Sequence, residues 1–215
     1  AHLVSDPEDG SIWFTDVYGG YLGNINVDRD EVIRLFAIPD DHSGAGELSP
    51  LTSHFGGFPW SFAIDAEAVY FVEFATNHII RFDKRLEEFD EIHVPGTSHL
   101  AKLHSIAVDK QAGRLWFTMP HDVPLPLDPD PSSESTIGYV DLESWRRQIA
   151  NPDSSSPIRG VLYSGFGPLM PDEMQQETRY AFAGIAVDPN SGRIALATAW
   201  RRQVTELRPH SGFWP

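Results

Sequence analysis

One motif recurs four times in this chain: a short apolar strand ending in aspartate, a tight turn, and a second apolar or aromatic strand. Leu3-Val4-Ser5-Asp6 leads to Ile12-Trp13-Phe14-Thr15, and Phe62-Ala63-Ile64-Asp65 leads to Val69-Tyr70-Phe71-Val72. Ile106-Ala107-Val108-Asp109 leads to Leu115-Trp116-Phe117-Thr118, and Ile185-Ala186-Val187-Asp188 to Ile194-Ala195-Leu196-Ala197. Three of the turns place glycine where a hairpin needs positive φ, at Gly10, Gly113 and Gly192. A third strand follows in each unit, and a fourth follows in the first three: Val32 to Ile38, Phe89 to Val94 and Ile158 to Ser164. Four antiparallel strands per repeat is the blade of a β-propeller, and a generic sandwich does not account for four hairpins in the same order. The step from Asp65 to Asp109 matches the ~40–45 residues of one blade, and the longer steps on either side read as blades with inserted loops.

The fold class is therefore all-β, a propeller of four-stranded antiparallel blades at roughly 1–40, 58–95, 103–164 and 181–210. The last blade lacks its outer strand. The expectation is a single domain or fragment belonging to a larger six- or seven-bladed ring, with an imperfectly closed four-bladed ring as the alternative. Loops at one end of the blades are long: Pro39 to Pro59, Met119 to Ser135 and Gly165 to Tyr180. The other end has tight turns, except for Leu142 to Pro157, where Leu142 to Gln148 reads as a short helix. Function is expected at the long-loop end, because long loops on a rigid scaffold carry binding and catalysis.

Composition narrows the partners. With 16 basic and 31 acidic residues the formal charge is −15, so a phosphate-rich surface would repel the chain. The expectation is no nucleic acid and no membrane as partner, and a small molecule, peptide or glycan instead. The 215 residues include no cysteine, which excludes disulfides, thiolate zinc sites and a thiol nucleophile. No apolar run is long enough to span a bilayer as a helix, and Ala1-His2-Leu3-Val4 has no leader-like character. A soluble chain of unassigned compartment is expected.

The strand pairs resemble a known family. Ile12-Trp13-Phe14-Thr15-Asp16 followed by Leu22-Gly23-Asn24-Ile25 looks like the "WFTE…IGRI" repeat of the streptogramin B (virginiamycin B) lyase family. Leu115-Trp116-Phe117-Thr118 followed by Ile137-Gly138-Tyr139-Val140 does the same, and the likeness weakens in the last unit at Ala195-Leu196-Ala197. The resemblance implies a seven-bladed propeller that opens a cyclic depsipeptide ester by elimination, with a histidine base and Mg²⁺ held by glutamates. Leu103-His104-Ser105-Ile106 resembles the context of the family's catalytic histidine. The two family glutamates correspond to Lys102 and Pro120, and His104 lies one blade before the family's position, where Ala183 stands.

The blade alignment assigns candidate roles. Ala1, Trp60, His104 and Ala183 form one column at the start of the inner strands; Asp16, Glu73, Met119 and Thr198 form a second, at the end of the second strands. His104 is the candidate general base, with Glu73 and His121 as catalytic partners, since an imidazole beside a carboxylate titrates near neutral pH. Asp16 and Glu73 are candidate oxygen ligands for a divalent cation, Mg²⁺ or Ca²⁺. Trp60 is a candidate stacking platform, and Trp200 with Arg201 a candidate anchor for an anionic group. Two functional classes follow: a lyase or hydrolase of small ester or cyclic substrates, or a non-catalytic propeller that binds a peptide, glycan or protein. A lactonase-like propeller with a central Ca²⁺ ranks behind both, because its ligand set cannot be assembled.

Overall fold

The computed structural model describes residues 3–16, 19–26, 32–39, 59–73, 77–94, 103–119, 136–152, 157–163, 182–198 and 204–207. They fall into two compact units, Ala1–Pro95 and Gly96–Pro215. In the first, β1 (Leu3–Ser5), β2 (Ile12–Asp16), β3 (Tyr21–Asn26) and β4 (Val32–Ala37) form one antiparallel sheet in sequence order. A second sheet follows, of β5 (Pro59–Ile64), β6 (Ala68–Glu73), β7 (His78–Asp83) and β8 (Glu88–His93). The second unit contains a four-stranded sheet of β9 (Ser105–Asp109), β10 (Arg114–Met119), β11 (Thr136–Asp141) and β12 (Gly160–Tyr163). Its other sheet has three strands, β13 (Phe182–Val187), β14 (Ile194–Thr198) and β15 (Val204–Leu207). These meandering sheets are the blades of a β-propeller, as the repeat predicts. Among the described residues no helix is long and apolar enough to cross a membrane.

The marker aspartates build the turns. Asp6 accepts the Glu8 N–H at 3.0 Å, Asp65 those of Glu67 and Ala68 at 2.8 Å each, and Asp188 that of Asn190 at 2.9 Å. Asp109 accepts the Gln111 and Ala112 N–H groups at 3.1 and 3.0 Å. A carboxylate that caps its own turn replaces the sheet bonds the chain gives up on reversing, which is why the motif ends in aspartate. Gly10, Gly113 and Gly192 have φ of 72°, 63° and 66°, the left-handed conformation that the hairpin signal requires. The shorter Ala66–Glu67 turn needs no such residue and closes with the Asp65 N–H on the Ala68 carbonyl at 3.0 Å.

Within each unit the sheets pack face to face. Trp13, Leu22 and Ile38 of the first sheet meet Val69, Phe71, Ile80 and Phe82 of the second. Trp13 lies 5.7 Å from Phe82 between ring centroids, and Phe36 lies 4.5 Å from it. In the second unit Ala107, Trp116 and Ile137 pack against Ile185, Ile194 and Leu196. Long polar side chains also tie neighbouring turns together. Lys84 donates to the Asp6 carboxylate at 2.7 Å and the Asp65 carbonyl at 2.8 Å, and Gln111 donates to the Pro189 and Asn190 carbonyls at 2.9 and 2.8 Å.

The expected helix is α1 (Leu142–Ala150), two residues longer than the sequence reading. Asp141 caps it by accepting the Ser144 N–H at 2.7 Å, and the Ser144 hydroxyl accepts the Arg159 N–H at 2.8 Å. Leu142 and Trp145 are buried beneath it.

Candidate functional site

The ends of the second strands carry the predicted carboxylates, and the two are not alike. Asp16 closes the turn that follows β2: its carboxylate accepts the Gly19 N–H at 3.0 Å and its carbonyl the Gly20 N–H at 3.0 Å. It is exposed. Glu73, the repeat equivalent, is only 2% exposed. Both carboxylates are followed by a connection of equal length whose last residue has positive φ, Gly20 at 69° and Asn77 at 60°.

Register places Glu73 in one row with two imidazoles. Glu73 pairs with His78 across β6 and β7, and His78 pairs with His93 across β7 and β8. Directly paired residues share a face of the sheet, so Glu73, His78 and His93 form one row along the long-loop end of this blade. The rings of His78 and His93 meet edge to face, 5.1 Å between centroids. Exposure rises along the row, from buried Glu73 through half-buried His78 to exposed His93. Neither histidine is singled out by the repeat. The signal available in the sequence was loop length: a short connection after Glu73 puts His78 opposite it.

Trp60 lies in β5, half-buried, where the pairing with β6 shifts register between Pro59 and Phe62. It belongs to the same unit as Asp16 and Glu73. His104 belongs to the second unit, directly before β9. Its amide donates to the Thr118 carbonyl at 2.9 Å, extending the β9–β10 ladder by one residue, and its side chain is half-buried. Buried Leu103 precedes it and buried Met119 ends the neighbouring strand. Ser105, next along, accepts the Ile185 N–H at 3.3 Å and so joins the two sheets of this unit near their long-loop end. His121, Trp200 and Arg201 lie outside the described residues.

Among the described residues no three His, Asp or Glu side chains are grouped so as to hold a metal ion. Asp16 spends one carboxylate oxygen on the Gly19 amide. The described residues therefore do not supply a divalent-cation site around Asp16 and Glu73.

Away from that end, blade two holds a charged cluster. Arg81, almost fully buried, donates to Asp83 at 2.8 Å and to Asp90 at 3.3 Å. Burial alone would raise the Asp83 carboxyl, but the Leu86 and Arg85 amides and the Arg81 guanidinium outweigh it and hold the group below the usual carboxylate range. At Asp90 burial prevails over Arg81, and its carboxyl is raised. The cluster is structural: Arg81 and Asp83 brace the turn into β8.

No family model matches the sequence, and no curated protein matches it. Solved structures do. Virginiamycin B lyase from Staphylococcus aureus aligns over 97% of this chain and 55% of its own, at 16% identity and a TM-score of 0.53. A putative 6-phosphogluconolactonase from Bacteroides uniformis aligns over 97% and 50%, at 11% identity and a TM-score of 0.58. The C-terminal WD40 domain of Sif2 aligns over 97% and 46%, at 8% identity and a TM-score of 0.55. The chain thus spans about half the length of these structures. At such identities the likeness shows the propeller fold alone.

Proposed function

We propose that this chain contributes blades to a propeller enzyme of the streptogramin B lyase type, a lyase or hydrolase that opens a small ester or cyclic substrate at the long-loop end of the blades. The observation that carries this reading is the setting of His104: half-buried at the start of an inner strand, with its backbone fixed by the Thr118 carbonyl. A backbone held in a ladder presents its imidazole in a repeatable position, which general-base catalysis requires. In the elimination, the imidazole takes a proton from carbon, the electron pair becomes a carbon–carbon double bond, and the ester C–O bond breaks to release a carboxylate. In hydrolysis the same base takes its proton from water. Glu73 and His121 are the proposed catalytic partners, and Trp60, Trp200 and Arg201 the proposed substrate contacts. The described residues do not form a cation site, so no step is assigned to Mg²⁺ or Ca²⁺.

The second reading, a propeller that binds a peptide, glycan or protein without turnover, is favoured by Lys102 and Pro120 standing where the family has glutamates. One experiment separates the two. The chain is incubated with a panel of cyclic depsipeptides and lactones, and products are read by mass spectrometry beside His104→Ala and His104→Gln. Elimination leaves the substrate mass unchanged, and hydrolysis adds one water. Loss of at least a hundredfold in rate in both variants, with folding intact, is the expected result. Turnover that survives both substitutions overturns the role of His104; binding with no turnover by the unaltered chain establishes the second reading.

A further inference from the structure

Two imidazoles stand directly opposite each other at the edge of the second sheet. His78 pairs with His93 across β7 and β8, and β8 is the outermost strand of that sheet. The preceding pair, Asn77 and Val94, is hydrogen-bonded, with the Val94 N–H donating to the Asn77 carbonyl at 2.9 Å. Bonded and non-bonded pairs alternate along an antiparallel ladder. His78 and His93 are therefore a non-bonded pair, the kind whose side chains lie closest.

The same face carries a second ring pair nearer the β7–β8 turn, Phe82 and Phe89, with centroids 4.8 Å apart. Phe82 is fully buried and belongs to the core between the sheets. The imidazoles sit differently: His93 is exposed and His78 half-buried, so their pairing buries little apolar surface. What they add at that end of the hairpin is nitrogen lone pairs that solvent can reach.

The ring spacing matches coordination of one ion by both side chains. A metal–nitrogen bond of about 2.0–2.1 Å puts the centre of an imidazole about 3.2 Å from the metal. Two such rings have centres about 4.5 Å apart on a square-planar ion and about 5.2 Å apart on a tetrahedral one. The His78 and His93 centroids are 5.1 Å apart, with the ring planes at 61°. Rotation about χ2, a soft torsion in histidine, aims one nitrogen of each ring at a shared point. The other nitrogen of each ring keeps its own hydrogen bond, as in most histidine–metal sites.

We propose that His78 and His93 chelate a late first-row divalent ion of the Zn²⁺, Ni²⁺ and Cu²⁺ class. Imidazole nitrogen suits these ions, whereas Mg²⁺ and Ca²⁺ take oxygen ligands. Among the described residues no third His, Asp or Glu is grouped with the pair. Water therefore completes the coordination shell, and the ion stays open to a further ligand. The formal charge of −15 draws cations toward the surface. A turn joins β7 to β8 between Asp83 and Glu88, so an ion on the histidine pair clips the hairpin at its other end. The site makes no use of His104.

The full chain, stripped with a chelator, is titrated by calorimetry with Ni²⁺ and Zn²⁺, and with Mg²⁺ for comparison. The expected result is one Ni²⁺ or Zn²⁺ site that Mg²⁺ neither fills nor competes for. His78→Gln and His93→Gln should each weaken that site by more than about tenfold, because removing a group that merely orients a metal ligand already costs that much. The double variant should bind no more weakly than either single one, since a chelate is lost with its first ligand. Ni²⁺ should also raise the thermal midpoint of the unaltered chain and leave that of His93→Gln in place. His93 is exposed, so this variant tests the site even where His78→Gln fails to fold. Three results overturn the proposal: unchanged affinity in His93→Gln, losses in the two single variants that add in the double, or equal occupancy by Mg²⁺.

Discussion

Replacing Lys84 by methionine probes how the first unit holds its two sheets together. Lys84 joins them at the turn end: its ammonium lies 2.7 Å from the Asp6 carboxylate of the first sheet and donates at 2.8 Å to the Asp65 carbonyl of the second. Asp6 is 2% exposed, and its other side-chain bond described here comes from the Glu8 amide at 3.0 Å. Lys84→Met keeps most of the stem's packing and removes the charge. Breaking a buried ion pair from one side costs about 3–5 kcal/mol, because the remaining charge is left uncompensated. The Lys84 side chain is 15% exposed, so water reaches the site in part and the lower half of that range is expected. Loss of the Asp65 carbonyl's donor adds about 1 kcal/mol. The total is about 4–5 kcal/mol, a large share of a typical domain's stability. Urea unfolding followed by tryptophan fluorescence reads it, since Trp13 sits in the core between the two sheets. Asp6→Asn combined with Lys84→Met should recover much of the loss, because the double variant buries no unpaired charge. An unchanged midpoint in Lys84→Met, or a double variant as unstable as the two singles added together, refutes the reasoning.

Three further outcomes follow from the turns and the sheet face. Asp65→Ala strips the acceptor from two backbone amides and from the Tyr70 hydroxyl at 3.1 Å, at a cost of about 2–4 kcal/mol by urea unfolding; Asp188→Ala, at an exposed turn, should cost clearly less. Asp83 has a folded pKa below its unfolded value, so its stabilisation is present above the ordinary carboxylate range and is lost as pH falls through the depressed value. Asp83→Asn should therefore be less stable than the parent near neutral pH and converge with it in strong acid; a constant gap across pH contradicts the assignment. Gly23→Ala sets a Cβ into the space filled by the Phe14 ring and should cost about 1–3 kcal/mol, read from the thermal midpoint.

The blades were legible because their signals are local. An aspartate that accepts the amide two residues ahead, and at Asp109 the one three ahead as well, followed by a left-handed glycine, needs nothing from the rest of the chain, and Asp6, Asp109 and Asp188 with Gly10, Gly113 and Gly192 are built that way. Trp13 and Trp116, which the repeat places at equivalent positions, both lie on core faces. The two-residue turn after Asp65 was readable for the same reason, although it lacks glycine. Helix α1 was underestimated at its C-terminal end because Ile149 and Ala150 carry no stop signal; the helix ends where Asn151 donates its N–H to the Arg147 carbonyl.

The site was harder to read because repeat alignment gives position and leaves environment open. Asp16 and Glu73 occupy equivalent places, yet one is an exposed turn-capping carboxylate and the other a buried one beside His78. Treating them as a matched pair of ligands assumed that the column around the blades is the chemical unit. In the first unit the juxtaposition of carboxylate and imidazole runs across a single blade, through β6, β7 and β8, and is set by hairpin register. Register depends on the length of one connection, and a one-residue change there would carry His78 to the opposite face. Lengthening the 74–77 connection by one residue would therefore dismantle the Glu73–His78–His93 row while leaving the repeat motif of every blade intact. Chemistry at this end of the protein is thus free to vary blade by blade, which is why a repeat that specifies the fold so firmly constrains the activity so little.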